Sequence, residues 1–558
     1  MIPTLGLHTL AALQRVPAAI EYERAARDPA RAQDALLRRF LAANGETELA
    51  KEYGLREITT RAELRARIPI TTYADMWPRI ERVMRGEPNV ITAETPVFFA
   101  ASTGTTGTPK RIPITPTFRK DFQRTLSVSM IHVMRRFPGA FTGNIAYTVG
   151  IARTGTAPCG TPIGLTSGYN QSTLPQAVRR LFAWPHELAQ VKDPSARTYL
   201  YVWLLALSRV TLFTGIFPLP MLVLLRATET LAEPIVRDLR AGTLRDDLAL
   251  TPEERAFYAR FARIDRRAAD RIESMTRDGG GVMPFRAVLP DLRLVYCWTT
   301  GSASAFVPDL KKKLGDDVAL RDAIYASNEG WGNVTFGEDL PGGPASITSH
   351  VFEYIEEDAW ERGERVGIGV EDVEVGKTYR LLLTTSGGFY RYDTGDLVTC
   401  TRRYHATPCI HFVRRAGAAF NMVGEKLVEN HVVAAVGAAV AALGMEAAHF
   451  VALPRYAPRP HWAIAIELAA TASEEQLEAL RQRIETELGL VNEEYPVFRQ
   501  RVLGPLVLHV IARGESEAKR QALIAAGKPE AQLKTVHLVT DDSSLATFRI
   551  ERRIEARA

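Results

Sequence analysis

A lysine, a run of hydroxyls and two glycines stand together in Phe98-Phe99-Ala100-Ala101-Ser102-Thr103-Gly104-Thr105-Thr106-Gly107-Thr108-Pro109-Lys110. Glycines permit tight turns in which successive backbone N–H groups face one point. Gly104 supplies such a turn, Ser102, Thr103, Thr105 and Thr106 add hydroxyl donors, and Lys110 adds a positive charge. The stretch therefore reads as a phosphate cradle at a strand-to-loop transition. A Walker A loop ends in Gly-Lys-Ser/Thr. Here Lys110 follows Pro109 and precedes Arg111, so that motif is excluded. The same composition also makes plain surface loops, and the assignment needs support from elsewhere in the chain.

Further strings supply it. Tyr325-Ala326-Ser327-Asn328-Glu329-Gly330 follows a strand-like segment. An aromatic ring such as Tyr325 can stack on a purine, and the small Ala326 and Ser327 let backbone approach the base edge. Glu329 offers an oxygen to Mg²⁺, which takes one or two carboxylates plus substrate phosphates. Next comes Tyr390-Arg391-Tyr392-Asp393-Thr394-Gly395-Asp396, which also reads as a β-turn. A carboxylate at a strand end accepts both ribose hydroxyls, and Asp396 is the expected acceptor, with Asp393 its competitor. The order along the chain, phosphate loop, aromatic-Glu loop, then Thr-Gly-Asp, favours a nucleotide site. Phe412-Val413-Arg414-Arg415-Ala416-Gly417 and Gly424-Glu425-Lys426-Leu427 mark a hinge whose Arg415 can hold phosphate or ribose oxygens bidentately. Gly301 and Ser302, after the strand-like Leu292–Trp298, and Lys426 complete the expected nucleotide contacts. Near the end, Gln532-Leu533-Lys534 carries a lysine that nothing local separates from a surface lysine.

The elements that must hold these residues alternate. Strand-like segments at Val97–Ala101, Asn144–Val149, Val210–Phe217, Leu292–Trp298, Val318–Ala323 and Thr378–Thr384 are separated by helical patterns, which predicts an α/β body. Arg402–Pro408 reads as a polar, turn-rich stretch before the strand-like Ile410–Val413. After Arg415 the pattern becomes a small α+β unit, with helices at Asn430–Leu443 and Ser473–Leu488 and strands at His449–Pro454, His461–Leu468 and Pro505–Ile511. The expected domains are residues 1–415 and 416–558. Thr198–Ala227 is the most apolar region, but Arg209, Pro218 and Pro220 interrupt it. It predicts a buried helix, strand and helix rather than a membrane span.

Composition narrows the class. The chain has 558 residues, 46% hydrophobic and 24% charged, as expected of a globular protein that buries a large core. A net charge of +5 from 69 basic and 64 acidic residues gives no basic stripe for nucleic acid. Four scattered cysteines make no disulfide framework and fit a reducing, cytoplasmic setting. The N-terminus lacks a charged start followed by an apolar core, and Glu21, Glu23, Asp28 and Asp34 interrupt its arginines, so no targeting segment is expected. Cys400, His405, Cys409 and His411 lack the spacing of structural zinc sites. No Gly-x-Ser-x-Gly elbow is present.

With these residues in place, the chain resembles the Gretchen Hagen three family of acyl-acid amido synthetases, within the adenylate-forming superfamily. The superfamily likeness rests on the three nucleotide strings. The narrower one rests on Pro69–Gly86, Ile235–Leu244, Val373–Arg391, Gly424–Glu429, Asn492-Glu493-Glu494-Tyr495 and Gln532-Leu533-Lys534, spanning roughly residues 40 to 540. The resemblance implies a large multi-sheet N-terminal body that binds ATP and an acyl acid, with a smaller mobile α+β C-terminal domain. It implies a two-step ligase that uses ATP and Mg²⁺, with a small carboxylic acid and an amino acid or other amine as substrates and no nucleic-acid or membrane partner. Ser102 to Thr106 would hold phosphates, Tyr325 to Ser327 the adenine, Glu329 the metal and Asp396 the ribose. Arg415 would contact the nucleotide, and Lys534 would be the catalytic lysine brought by the small domain. The acyl pocket is expected to draw on Gly160–Tyr169 and Thr299–Ala303. Where the family commonly reads Phe-Val-Gly-Arg-Lys this chain has Phe-Val-Arg-Arg-Ala, which leaves Arg414 and Arg415 competing. Asn328 stands where plant members commonly have a second serine. Two alternatives share the nucleotide strings: an acyl-CoA or carrier-protein ligase, and a homologue that only binds nucleotide or a hormone-like acid.

Overall fold

The structure is a computed structural model that describes residues 4–101, 110–415, 419–420, 425, 427–455, 459–492, 495–496, 499, 503–526, 528, 535–539, 545, 547 to 556. It divides into two units, Met1–Val413 and Arg414–Ala558.

Three sheets build the first unit. One has β1 (Phe98–Ala101) between the antiparallel β2 (Arg111–Ile114) and the parallel β5 (Pro162–Gly164), with β4 (Gly155–Thr156) beyond β5. A second is wholly parallel, in the order β3 (Asn144–Tyr147), β6 (Val210–Thr214), β7 (Leu294–Cys297), β8 (Ala319–Asp322). The third runs β10 (Val351–Glu356), β11 (Thr378–Thr384), β12 (Tyr392–Tyr404), β13 (Thr407–Arg415), β9 (Gly343–Pro344). The chain is thus α/β, as its alternating pattern predicts.

The apolar run forms the largest core. Helix Pro194–Ala206 starts with Asp193 accepting from the Ala196 amide and buries Tyr199, Leu200, Trp203 and Leu205 against β6 and helix Pro218–Ala227. Strand β6 is shorter than expected because Pro218 opens that next helix. No described helix is long and apolar enough to cross a membrane. A second difference concerns Arg402–Pro408. Instead of a polar loop, β12 and β13 run through it and turn only at His405-Ala406, where His405 takes φ +50°. Tyr404 and Thr407 cover the flanks, so polar residues at an exposed sheet end read as loop while still pairing.

Two polar contacts lock the N-terminal helices to the third sheet. Gln33 donates to the Ile347 and His350 carbonyls at 2.8 and 2.7 Å and accepts from the Phe352 amide at 2.7 Å. Arg391, at φ +46°, grips Glu353 bidentately at 2.9 and 2.6 Å and donates to the Arg65 and Ile68 carbonyls. Thr71 adds backbone bonds to Arg391 and Asp393, which delivers helix Tyr73–Met84 to the start of β12. Thr72 and Asp75 form the capping box of that helix.

The second unit holds a short antiparallel pair, β14 (Ala419–Phe420) and β15 (Leu427–Val428), and a sheet in the order β16 (Ala447–Arg455), β17 (His461–Leu468), β18 (Val507–Ile511), β19 (Ile550–Ile554). Strand β17 is buried along its whole length, which suits a central strand covered on both faces. Helices Glu429–Ala442 and Glu474–Val491 accompany it, the latter capped by Ser473. Glu425, fully buried, accepts from the Trp462 indole at 3.1 Å, and its carbonyl accepts from Asn492.

Glu353 is 5% exposed and bears the charge that satisfies Arg391. Removing one partner of a buried pair leaves an unpaired charge, which costs about 3–5 kcal/mol. Glu353→Ala should therefore lower the stability of the first unit by about that amount in denaturant unfolding. An unchanged unfolding midpoint would contradict the locking role.

Candidate functional site

Strand β1 ends at Ala101 and the chain is described again at Lys110, immediately before β2. Ser102, Thr103, Gly104, Thr105 and Thr106 lie outside the described residues. Their stem is fixed, since β1 and β2 pair from Phe98↔Ile114 to Ala101↔Arg111. Lys110 Nζ reaches Glu329 Oε1 at 2.9 Å and the Tyr392 hydroxyl at 3.2 Å. Tyr392 in turn donates to Glu329 at 3.4 Å. The Tyr73 and Tyr392 rings flank the ammonium, with centroids 5.4 and 5.7 Å away. Tyr73 also accepts the Arg111 amide at 2.7 Å, holding the strand start against its helix. Glu329 is 4% exposed. A carboxylate so buried needs a counter-charge, and Lys110 is it.

Asp396 is placed by an irregularity that the sequence does not announce. Strands β11 and β12 pair as Leu382↔Asp393 and then as Arg380↔Leu397, so Leu381 alone faces Thr394, Gly395 and Asp396. The extra residues bulge, with Gly395 at φ +72° and the Thr394 hydroxyl donating to the Leu381 carbonyl at 2.8 Å. The Thr-Gly-Asp string is therefore a bulge early in a long strand and neither a strand end nor a free turn. Asp393 is held bidentately by Arg380 at 2.9 and 2.6 Å. Asp396 instead accepts from the Tyr325 hydroxyl at 2.6 Å.

Tyr325 stacks on Phe412 with centroids 5.6 Å apart, and its ring is 8% exposed. Its hydroxyl thus orients Asp396, a role beyond the base stacking expected of it. Gly301 takes φ +58°, and a Cβ there would lie 2.6 Å from the Phe412 ring, so only glycine fits. Ser302 follows Gly301 in a short helical turn, Gly301–Phe306. Asp322, at the end of β8, anchors the preceding residues by accepting from the Thr299 amide and hydroxyl at 2.8 and 2.9 Å.

The loop after Tyr325 closes on itself. Ser327 donates through its amide and hydroxyl to the Gly330 carbonyl, and Ala326 bridges to Trp331. Asn328 donates to the Ala101 carbonyl at 3.3 Å and accepts from the Thr166 hydroxyl at 2.8 Å. The Trp331 amide donates to His350 Nε2 at 3.1 Å. The sequence assigns no individual role to Tyr73, Asn328, Thr166, His350 or Tyr392. Tyr392 and Asn328 belong to the nucleotide strings, Tyr73 to the Pro69–Gly86 segment and Thr166 to the Gly160–Tyr169 stretch expected of the acyl pocket, whereas nothing local marks His350.

Arg415 ends β13 and is exposed, and Arg414 beside it is partly buried. Lys426 and Lys534 lie outside the described residues. All four cysteines are free thiols, and no described group of three or more His, Cys, Asp or Glu is arranged to hold a metal ion.

Comparison with known proteins follows the same outline. Models of the GH3 family N-terminal, central and C-terminal domains match residues 18–319, 344–415 and 430–543. A jasmonoyl–L-amino acid synthetase of Nicotiana attenuata is 26% identical over 93% of this chain and 92% of its own length. An indole-3-acetic acid-amido synthetase of Arabidopsis thaliana is 25% identical over 91% and 89%. Among solved structures, the GH3.15 acyl acid amido synthetase superposes with a TM-score of 0.83 at 21% identity, covering 96% of both chains. A 2-hydroxyisobutyryl-CoA ligase shares the fold more loosely, with a TM-score of 0.53 at 13% identity, covering 92% of this chain and 90% of its own.

Burial pushes His350 from 6.5 down to about 3, so the ring is neutral and able to accept from Trp331. A depressed folded pKa contributes stability above the unfolded value that is lost as pH falls. Asp121, which burial raises to about 6, has the opposite sign: acidification relieves it. Comparing wild type with His350→Gln isolates the histidine. Between about pH 6.5 and 4.5 the wild type should lose more stability than the variant. Parallel pH profiles would show that burial does not hold His350 neutral in the folded state.

Proposed function

The chain belongs to the GH3 family, and from that membership we propose that it is an ATP-dependent acyl acid amido synthetase. A carboxylic acid oxygen attacks the α-phosphorus of ATP and pyrophosphate leaves. The amine nitrogen of an amino acid then attacks the acyl carbon, and AMP leaves. The observation that carries this reading is the convergence of Lys110 and Glu329 at the mouth of the hydroxyl-rich loop, together with the single carboxylate, Asp396, that the bulge presents. Named relatives along nearly the whole chain are amido synthetases, which favours an amine over a thiol acceptor.

The residues divide the work. Ser102 to Thr106 hold phosphates, and Lys110 contributes its charge to them. Tyr325 holds Asp396 Oδ2, so the carboxylate meets the ribose hydroxyls in a fixed orientation rather than being ordered at binding. Gly301, Ser302, Ala326 and Ser327 let backbone approach the base. Arg415, Lys426 and Lys534 complete the cationic set, with Lys534 opposing the charge that grows on the α-phosphate. Glu329 fits Mg²⁺, because one buried carboxylate beside a phosphate loop is the donor set that ion takes together with nucleotide oxygens. Bound there, it would neutralise phosphate charge. Residues 160–169 and 299–303 form the acid side, and exclusion of water from it protects the mixed anhydride.

Pyrophosphate exchange against aromatic, fatty and short-chain acids, followed by mass spectrometry with mixed amino acids or coenzyme A, tests the whole reading. Amide products are expected, and thioesters alone would replace it with the acyl-CoA ligase. Asp396→Ala should weaken ATP binding about tenfold or more, as loss of a charged acceptor requires. Asp393→Asn should spare ATP affinity, since Asp393 is bound to Arg380; a larger effect at Asp393 would reverse the assignment. Lys534→Ala should slow acid-dependent exchange about a hundredfold while ATP still binds, and normal exchange would take Lys534 out of the reaction.

A further inference from the structure

Adjacent residues of one closed loop face two different parts of the site. Glu329 meets Lys110, while Asn328 meets Thr166, the first residue of helix Thr166–Ser172, and the Ala101 carbonyl at the stem of the phosphate loop. The amide orientation follows from its partners: a backbone carbonyl can only accept, so nitrogen faces Ala101 and oxygen faces the Thr166 hydroxyl. A serine is too short to reach both partners, and an aspartate cannot donate to Ala101. The helix that carries Thr166 is itself seated on β1, where Tyr169 stacks on Phe98 with centroids 4.0 Å apart and planes 10° from parallel. Two contacts thus tie this helix to the nucleotide side, one to β1 and one to the Glu329 loop.

We propose that Thr166 and Asn328 form a positioning pair that fixes the phosphate-loop stem and the Glu329 loop against the acid-side helix, so that the state of that helix is felt where nucleotide binds. Thr166 touches neither Lys110 nor Glu329 in this arrangement; it acts through Asn328. The inference rests on the proposed nucleotide site.

The test is a double-mutant cycle read by calorimetric binding of Mg²⁺·AMP-CPP to the full chain, with thermal midpoints recorded for each variant. Thr166→Val keeps the side-chain shape and removes the hydroxyl, and Thr166→Ser keeps the hydroxyl. Thr166→Val and Asn328→Ala should each weaken binding about three- to tenfold, the size of one hydrogen bond. Thr166→Ser should bind like wild type, and Thr166→Val should cost nothing further in the Asn328→Ala background. Additive losses, or full affinity in Thr166→Val, would overturn the pair while leaving the nucleotide site standing. Failure of the wild-type chain to bind Mg²⁺·AMP-CPP would overturn the nucleotide reading and this inference with it.

Discussion

A carboxylate buried as deeply as Glu329 persists only beside a counter-charge, and the fold of the first unit is arranged to bring one to it. Lys110 comes from the edge of the β1–β2 pair, Glu329 from the loop that leaves the parallel sheet after β8, and Tyr392 from the first residue of β12. Each of the three sheets of this unit therefore contributes one group to a cluster within hydrogen-bond reach. Separating the β1–β2 edge from the Glu329 loop by the width of one side chain would strand a charge, and burial makes that costly. In the proposed nucleotide site this cluster borders the phosphate loop, so on that reading the requirement that fixes the sheets also fixes the site.

Backbone irregularity collects around this cluster. Arg391 adopts φ +46° one residue before Tyr392, and Gly395 adopts φ +72° within the bulge that turns out Asp396. Such conformations survive where surrounding contacts over-determine them. Here the contacts are the Arg391–Glu353 pair, the Arg391 bonds to the Arg65 and Ile68 carbonyls, and the Arg380–Asp393 pair. Two of the three charged residues in this seven-residue string, Arg391 and Asp393, thus serve structure, and the third, Asp396, accepts from the Tyr325 hydroxyl instead. Tyr325 then sets its direction.

That division explains which residues were legible in the sequence. The α/β alternation and the strand that precedes the Glu329 loop could be read because each rests on period within a short window. Ser473 could be read as a helix start for the same reason. The choice between Asp393 and Asp396 had no local solution, because it depends on the register of β12 against β11 and on an arginine thirteen residues upstream. Arg402–Pro408 misled because polarity marks exposure, and an exposed sheet end is polar without being a loop. Asn328 and Thr166 are 162 residues apart, and no periodicity connects them.

The proposed acid side is built differently from the proposed nucleotide side. Around Lys110, Glu329 and Asp396, buried ion pairs and a bulge fix the side chains. Strands β4 and β5 and helix Thr166–Ser172 span only two, three and seven residues. Short elements of this kind contribute little stability of their own. Their position comes instead from what they lean on: β5 pairs with β1 and β4 with β5, and the helix rests on the Phe98 ring and the Asn328 amide. On the proposed reading, side chains on them can change with the acid while their anchors hold β1 in place, and Asn328 stands where the acid side and the nucleotide side meet.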